Sequence, residues 1–142
     1  MKKYLLIFIT GLIFLNVFGA NDVSAQSLKN IKVEVKFDFC IGAKIYPAGD
    51  YLLESVSQSN DNILSLSNME KESRQLIITN LLYTGKRQQP KLVFRQIGNE
   101  YYLTNVFLAD GNWGFSVRPS RRQLEKRKNL ASTKSIEVPA KN

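Results

Sequence analysis

The chain has 142 residues, one cysteine, no histidine and a formal net charge of +8. A single cysteine excludes a disulfide within the chain, so stability has to come from burial and strand pairing. The lack of histidine excludes Ser-His and Cys-His catalytic machinery and histidine-based zinc sites built from this chain. We therefore expect no enzymatic activity, no cofactor and no metal site.

The beginning of the chain has the pattern of an export signal. Lys2 and Lys3 precede an apolar run over residues 4–19, and small or β-branched residues at 23–25 provide a cleavage site. A helix of about 16 residues would cover only ~24 Å of a ~30 Å hydrocarbon core, which favours cleavage over an uncleaved membrane anchor. We predict that residues 1–25 are a signal peptide and that the product is periplasmic or extracellular, without a transmembrane segment.

Charge divides the remainder of the chain into two parts. Residues 26–117 hold ten Lys or Arg and nine Asp or Glu, a balance of +1. Residues 118–142 hold eight basic and two acidic residues, a balance of +6. This distribution predicts one nearly neutral domain followed by a basic tail.

The segment Ile31–Phe39 alternates apolar and charged residues, which predicts a strand with one buried face. A corner at Pro47–Gly49 would follow, because proline fixes its own φ and glycine accepts positive φ. Cys40 lies between Phe39 and Ile41 before this corner. We expect its thiol to be buried and unreactive, with an intermolecular disulfide or catalysis as the alternatives.

Further short strands follow. They are predicted at Tyr51–Val56, Asn62–Ser67 and Arg74–Thr79. Leu64 and Leu66 would point inward on the second of them, and the third is apolar enough to be more buried. Residues 80–90 form the longest predicted connection of the domain.

Lys91–Ile97 and Tyr101–Leu108 predict the clearest hairpin, because Gly98 and Asn99 between them tolerate left-handed φ. Large apolar side chains occupy both faces of its second strand, which suggests that the basic tail covers one of them. Trp113–Val117 is the last predicted strand of the domain. About seven short strands with no helical pattern among them predict an all-β fold, either an antiparallel sandwich or a small barrel.

The tail contains the one predicted helix, residues 119–132. Ser120 followed three residues later by Gln123 fits a capping box, although the apolar stripe of this helix is thin. Residues 133–142 are expected to be disordered, with a late edge strand around Ile136 and Val138 as the alternative.

Three stretches carry a resemblance to a known group of proteins. They are FDFCIGAKIYPAGDYLL (37–53), PKLVFRQIGNEYYLTNVF (90–107) and PSRRQLEKRK (119–128). Together they resemble an uncharacterised family of small exported bacterial proteins in which a signal peptide precedes a strand, a PAG-type turn, a hairpin and a basic end. The resemblance implies an exported all-β domain and implies no activity.

Carboxylates and one aromatic residue are the other candidate sites. Paired carboxylates can catalyse glycoside hydrolysis without histidine, and the candidates are Asp38, Asp50, Glu54 and Glu100. No pair among them stands out, so a hydrolase is only a remote alternative. Trp113 would serve either as an exposed platform for sugar or, as we prefer, as part of the core.

The basic tail is the one feature with a binding mechanism, since clustered cations attract phosphates and other anions. The predicted polyanion-binding residues are Arg118, Arg121, Arg122, Lys126, Arg127 and Lys128. The sequence thus predicts an exported non-enzymatic binding or structural module, which acts through its β body or an envelope partner. The alternative is a protein that binds anionic lipid or polysaccharide through this tail, and the tail could instead serve only solubility. Genomic DNA is not an expected partner.

Overall fold

A computed structural model describes residues 29–56, 62–129 and 133–141, so the predicted signal peptide lies outside the described residues. The strands are β1 Asn30–Val35, β2 Phe39–Ile41, β3 Lys44–Tyr46, β4 Gly49–Ser55, β5 Ile63–Asn68, β6 Ser73–Gln88, β7 Lys91–Ile97, β8 Glu100–Phe107, β9 Gly111–Val117 and β10 Thr133–Pro139. The helix α1 is Arg121–Asn129.

The strands form one folded sheet whose two halves share the long strand β6. In the first half the order is β1, β4, β5 and the beginning of β6, all antiparallel. In the second half the end of β6 pairs with β9, which pairs with β8, which pairs with β7, which pairs with β10. β2 joins β8 through one short parallel pairing and carries β3 as its antiparallel neighbour. The sheet is not closed, and its two halves pack as an all-β sandwich, which confirms the predicted fold class with ten strands in place of about seven.

The core lies between the two halves and is filled by apolar side chains from both. Val33, Leu53 and Leu64 come from the first half, and Leu92 and Phe94 come from the second; all five are completely buried. Alternation along each strand places these residues on one face, as period-two patterning requires. The predicted inward positions Leu64 and Leu66 are confirmed.

The ring of Phe39 lies at the centre of an aromatic cluster. Its centroid is 5.2 Å from that of Tyr51, 5.3 Å from that of Phe94 and 5.5 Å from that of Tyr46. Phe37 packs edge-on against Phe94 at 5.2 Å. Edge-to-face and offset pairs at these distances add to the stabilisation that burial gives.

The predicted nine-residue strand Ile31–Phe39 is in fact two strands, because β1 ends at Val35 and β2 begins at Phe39. Asp38 provides the physical reason: its Oδ1 accepts a hydrogen bond of 2.8 Å from the backbone N–H of Ala48. The carboxylate therefore caps the corner that precedes β4, although its side chain remains exposed. The predicted inward positions still contact the core, since alternation survives the break.

The predicted connection over residues 80–90 is wrong, because β6 continues as a strand to Gln88. Pairing with β9 supports this continuation, from Thr79 opposite Val117 to Tyr83 opposite Trp113. The register then shifts near Gly85, which has a φ of 68°. The first part of β6 is also less buried than predicted, since its outward side chains are exposed.

The hairpin of β7 and β8 is confirmed, with Gly98 at a φ of 62° in its turn. In the tail, the backbone N–H of Gln123 donates to Ser120 Oγ at 3.2 Å, which confirms the cap of α1. The expected disorder at the end of the chain is wrong for Thr133–Pro139, because these residues form the alternative edge strand, β10, which pairs along the whole of β7.

Candidate functional site

Helix α1 lies over the outer face of the second half of the sheet and covers the beginning of β8. The side chains beneath it form a small apolar cluster of Cys40, Ile97 and Tyr102, separate from the main core. Gln123 is the buried residue of the helix. The expectation that the tail covers one face of β8 is therefore confirmed at this end of the strand.

Glu100 connects the helix to the sheet. Its Oε1 accepts a hydrogen bond of 2.9 Å from an Arg122 Nη, and its Oε2 accepts from both Lys126 Nζ and the hydroxyl of Tyr102. Arg122 and Lys126 are one turn apart on α1, so both reach the same carboxylate. We call these four residues the Glu100 network.

The Glu100 network alters the protonation of its members. The hydrogen bond from Lys126 and that from Tyr102 hold the pKa of Glu100 below its usual value, because both favour the charged carboxylate. Burial raises the pKa of Tyr102, and its hydrogen bond to Glu100 raises it further. At neutral pH the network therefore contains an ionised carboxylate, two cations and a neutral phenol.

The six residues of the predicted polyanion site thus divide into two sets. Arg122 and Lys126 bind Glu100 and position the helix. The other four are exposed and, within the part of the chain that the structure describes, make no ion pair; they are Arg118, Arg121, Arg127 and Lys128. We call these four the basic face. Three of these cations lie on α1, whose position Arg122 and Lys126 fix, and Arg118 lies just before the helix.

Cys40 is buried, as predicted, but it lies under α1 and not in the main core. Burial raises the pKa of its thiol, and the nearby carboxylate of Glu100 acts in the same direction. The cations of Arg122 and Lys126 lower that pKa by less. The neutral thiol is therefore favoured, and the lack of reactivity that the sequence suggests remains a prediction.

The carboxylate candidates are placed apart in distinct structural roles. Asp38 caps the corner before β4, Asp50 accepts a hydrogen bond of 2.7 Å from Lys141 Nζ, and Glu100 anchors the helix. Glu54 lies on β4 opposite Ser65 of β5. Among the described residues no group of three or more Cys, Asp or Glu side chains is placed to hold a metal ion.

Trp113 is exposed, so its preferred assignment to the core is wrong. It retains 57% of its accessible surface, and its partner Tyr83 on β6 retains 59%. Their ring centroids are 4.7 Å apart with planes inclined by 50°. The two rings stand on the face of the sheet that carries the core, at a place where the opposite half no longer covers it.

Two clefts accompany these surfaces. One, of about 410 Å³, lies between β1 and β10 and is lined by charged and apolar side chains, including those of Glu34, Phe37 and Lys141. The other, of about 360 Å³, lies where the turn between β2 and β3 approaches β6. Sequence reasoning found neither, because each is bounded by segments far apart in the chain.

Comparison with known proteins gives no match to a family model, a curated protein or a solved structure. In the described residues no helix is long and apolar enough to cross a membrane.

Proposed function

We propose that the protein is an exported, non-enzymatic binding module that holds polyanions on the basic face. The observation that carries the proposal is that the six clustered cations make different contacts. Two of them pair with Glu100 and fix the helix, while Arg118, Arg121, Arg127 and Lys128 are left exposed. Because Arg122 and Lys126 hold the backbone of α1 in place, ordering of the helix itself adds little to the entropic cost when an anion binds.

The chemistry of the basic face suits phosphate, sulfate and carboxylate groups. Three of its four members are arginines, whose planar guanidinium groups form bidentate hydrogen bonds with such anions. Binding by exposed cations releases counterions, so the affinity should fall steeply with salt. For four contacts, the logarithm of the binding constant should fall with the logarithm of salt with a slope of roughly three.

The test is binding to heparin and to vesicles that contain phosphatidylglycerol, measured over a range of salt concentrations. A variant with Gln at all four positions of the basic face should lose binding to at least one of these probes. The matched control has Gln at four other exposed lysines, Lys29, Lys32, Lys71 and Lys86, so that the net charge changes equally. The heparin and vesicle arms distinguish polysaccharide from lipid as the source of the anion.

Equal weakening by the two quadruple variants would contradict the proposal, because it would assign binding to net charge and not to the basic face. Failure of the unmodified protein to bind either probe at low salt would contradict it as well. Circular dichroism of both variants ensures that the comparison is made between folded proteins.

A second candidate function is favoured by the exposed pair Tyr83 and Trp113. Exposed aromatic rings at an uncovered part of a sheet suit a ligand with an apolar face, such as a sugar ring or a side chain of an envelope partner. Trp113 is the single tryptophan of the chain, so its fluorescence reports directly on this surface. A salt-independent spectral shift with soluble oligosaccharides, lost in Tyr83→Ala, would support this function in place of the first.

A further inference from the structure

β6 has an open edge along its first half. Residues Ser73–Ile78 pair with β5 on one side, whereas β9 takes the opposite side only from Thr79 onward. Within the described residues no strand pairs with Ser73–Ile78 on that opposite side. A strand position in line with β9 is therefore vacant.

The direction of the main-chain groups identifies which residues face this open edge. The N–H of Thr79 donates to the carbonyl oxygen of Asn62 at 2.8 Å, so the main-chain groups of Thr79 point toward β5. Neighbouring residues of a strand direct their main-chain groups to opposite edges. Those of Leu76 and Ile78 therefore point to the vacant position.

The cleft of about 360 Å³ lies along this edge. Its walls include the exposed side chains of Leu76 and Ile78, which retain 54% and 62% of their surface, and the turn between β2 and β3. Gln75 partly covers the edge, because its Nε2 donates to the carbonyl of Leu76 at 3.1 Å. Its Oε1 accepts from Lys44 Nζ at 3.2 Å. Both of these hydrogen bonds are exposed and can be exchanged for those of an incoming chain.

The charge of the cleft selects among occupants. Lys44 and Arg118 line it, and no acidic residue does. An added strand gains main-chain hydrogen bonds along the edge, while pockets and charges select its side chains. A basic segment would be repelled by Lys44 and Arg118, and a proline-rich segment would lack main-chain N–H donors for the edge. An extended acidic segment has both the opposite charge and the donors.

We propose that the open edge of β6 binds an extended acidic peptide segment of a partner protein, which adds as a strand in line with β9. Apolar side chains of the segment contact Leu76 and Ile78, and its carboxylates contact Lys44 and Arg118. The partner forms main-chain hydrogen bonds with Leu76 and Ile78. This inference differs from the proposed function, because its main-chain and apolar contacts lie on β6 and Lys44 lies on β3; Arg118 is the one residue that the cleft shares with the basic face.

The first test uses a fluorescein-labelled, end-blocked peptide of seven residues in which valine and glutamate alternate. We expect saturable binding by fluorescence anisotropy below about 1 mM, and at least about tenfold weaker binding when lysine replaces glutamate. Two further versions carry N-methyl groups on alternate amides, displaced from each other by one residue. One version should lose binding and the other should keep it, because only one set of amides faces β6.

Amide exchange locates the contact on the protein. The peptide should slow exchange of the Leu76 and Ile78 amides, whereas those of Gln75 and Ile77 already face β5 and should not change. Absence of saturable binding at about 1 mM would overturn the proposal, as would equal behaviour of the two N-methylated peptides.

Two variants complete the test. Leu76→Pro removes a donor from the open edge without removing one from the pairing with β5, and proline is tolerated in this position of an edge strand. It should abolish binding. Lys44→Glu tests the proposal even if the proline variant does not fold. It should reverse the preference between the glutamate and lysine peptides. Retention of the glutamate preference in folded Lys44→Glu would overturn the proposal.

Discussion

The ring of Phe107 lies in the space that a side chain at Gly114 would occupy. A Cβ on Gly114 would stand 2.5 Å from both Cδ1 and Cε1 of Phe107 and 2.9 Å from the carbonyl oxygen of Val106. Phe107 is buried although it lies outside the main core. We expect Gly114→Ala to lower the free energy of unfolding by about 1–3 kcal/mol, because ring and backbone both have to move. Urea denaturation measures the change.

Gly111→Ala is the matched control on the same strand, since no heavy atom lies within 4 Å of the Cβ it would add. Its effect should stay within about 0.5 kcal/mol. Equal losses for the two variants would show that strand flexibility, and not the contact with Phe107, determines the cost at Gly114.

The thiol of Cys40 gives a second prediction for a single residue. Because burial raises its pKa, the folded protein should react with Ellman's reagent at pH 8 far more slowly than the protein unfolded in guanidinium. The unfolded chain loses the thiol proton first as the pH rises, so Cys40 contributes stability that declines above the ordinary thiol pKa of about 8.5. Cys40→Ala should remove this part of the pH dependence. Equal reaction rates for folded and unfolded protein would contradict the prediction.

Helix α1 owes its position to the Glu100 network. Glu100→Gln keeps the shape of the side chain but removes the charge that pairs with Arg122 and Lys126. The amides of α1 should then exchange faster, while those of β4 and β5 remain protected. Because the pKa of Glu100 is lowered in the folded state, the helix should stay docked at neutral pH and be released as the pH falls below the usual carboxyl range.

Glu125→Gln on the same helix is the control, because Glu125 is exposed and makes no ion pair within the described part of the chain. It should leave the exchange of α1 amides and its dependence on pH unchanged. A release of the helix in acid that persists in Glu100→Gln would contradict the assigned role of Glu100.

At the scale of elements, the sequence predicted structure that depends on neighbouring residues, but it did not predict structure that depends on contacts between distant segments. Alternation around Val33 predicted the buried face of β1, and Ser120 predicted the start of α1, because each signal is contained in a few neighbouring residues. The continuation of β6 through Gly85 depends on pairing with β9. The glycine and charged residues in this stretch have low strand propensity, so the sequence did not predict a strand there. Trp113 was misplaced because its hydrophobicity is visible in the sequence, whereas the end of the opposite layer is not.

The candidate site shows the same limit. The sequence placed six cations in one segment but did not indicate that Arg122 and Lys126 would bind Glu100, which is 22 and 26 residues away. Such pairs follow from the docking of α1 on β8, and docking depends on the whole sheet. The open edge of β6 was equally hidden, because a vacant strand position can be recognised only once all neighbouring strands are placed.

At the scale of the molecule, Lys141 joins the two ends of the open sheet. Its backbone N–H donates to the carbonyl oxygen of Lys32 on β1 at 2.7 Å, just beyond the end of β10. Its Nζ lies 2.7 Å from Asp50 Oδ1 and 3.2 Å from Glu34 Oε2. The neighbouring N–H of Ala140 donates to the carbonyl of Pro90 at 3.1 Å. The backbone bond to Lys32 and the ion pair with Glu34 fasten the end of β10 to β1, where the sheet does not close, and the bond to Pro90 extends the pairing with β7.

Two changes separate the main-chain and charged parts of this fastening. Lys141→Met keeps the backbone bond and removes the ion pairs, so any loss of Tm should be small at low salt and should vanish at high salt, where exposed pairs are screened. Truncation after Pro139 also removes the bonds to Lys32 and Pro90, and should lower Tm by about 4 °C or more at every salt concentration. Thermal unfolding followed by circular dichroism measures both. If truncation lowers Tm no more than Lys141→Met does, β10 is held by its pairing with β7 alone, and the end of the chain contributes nothing to joining the two layers.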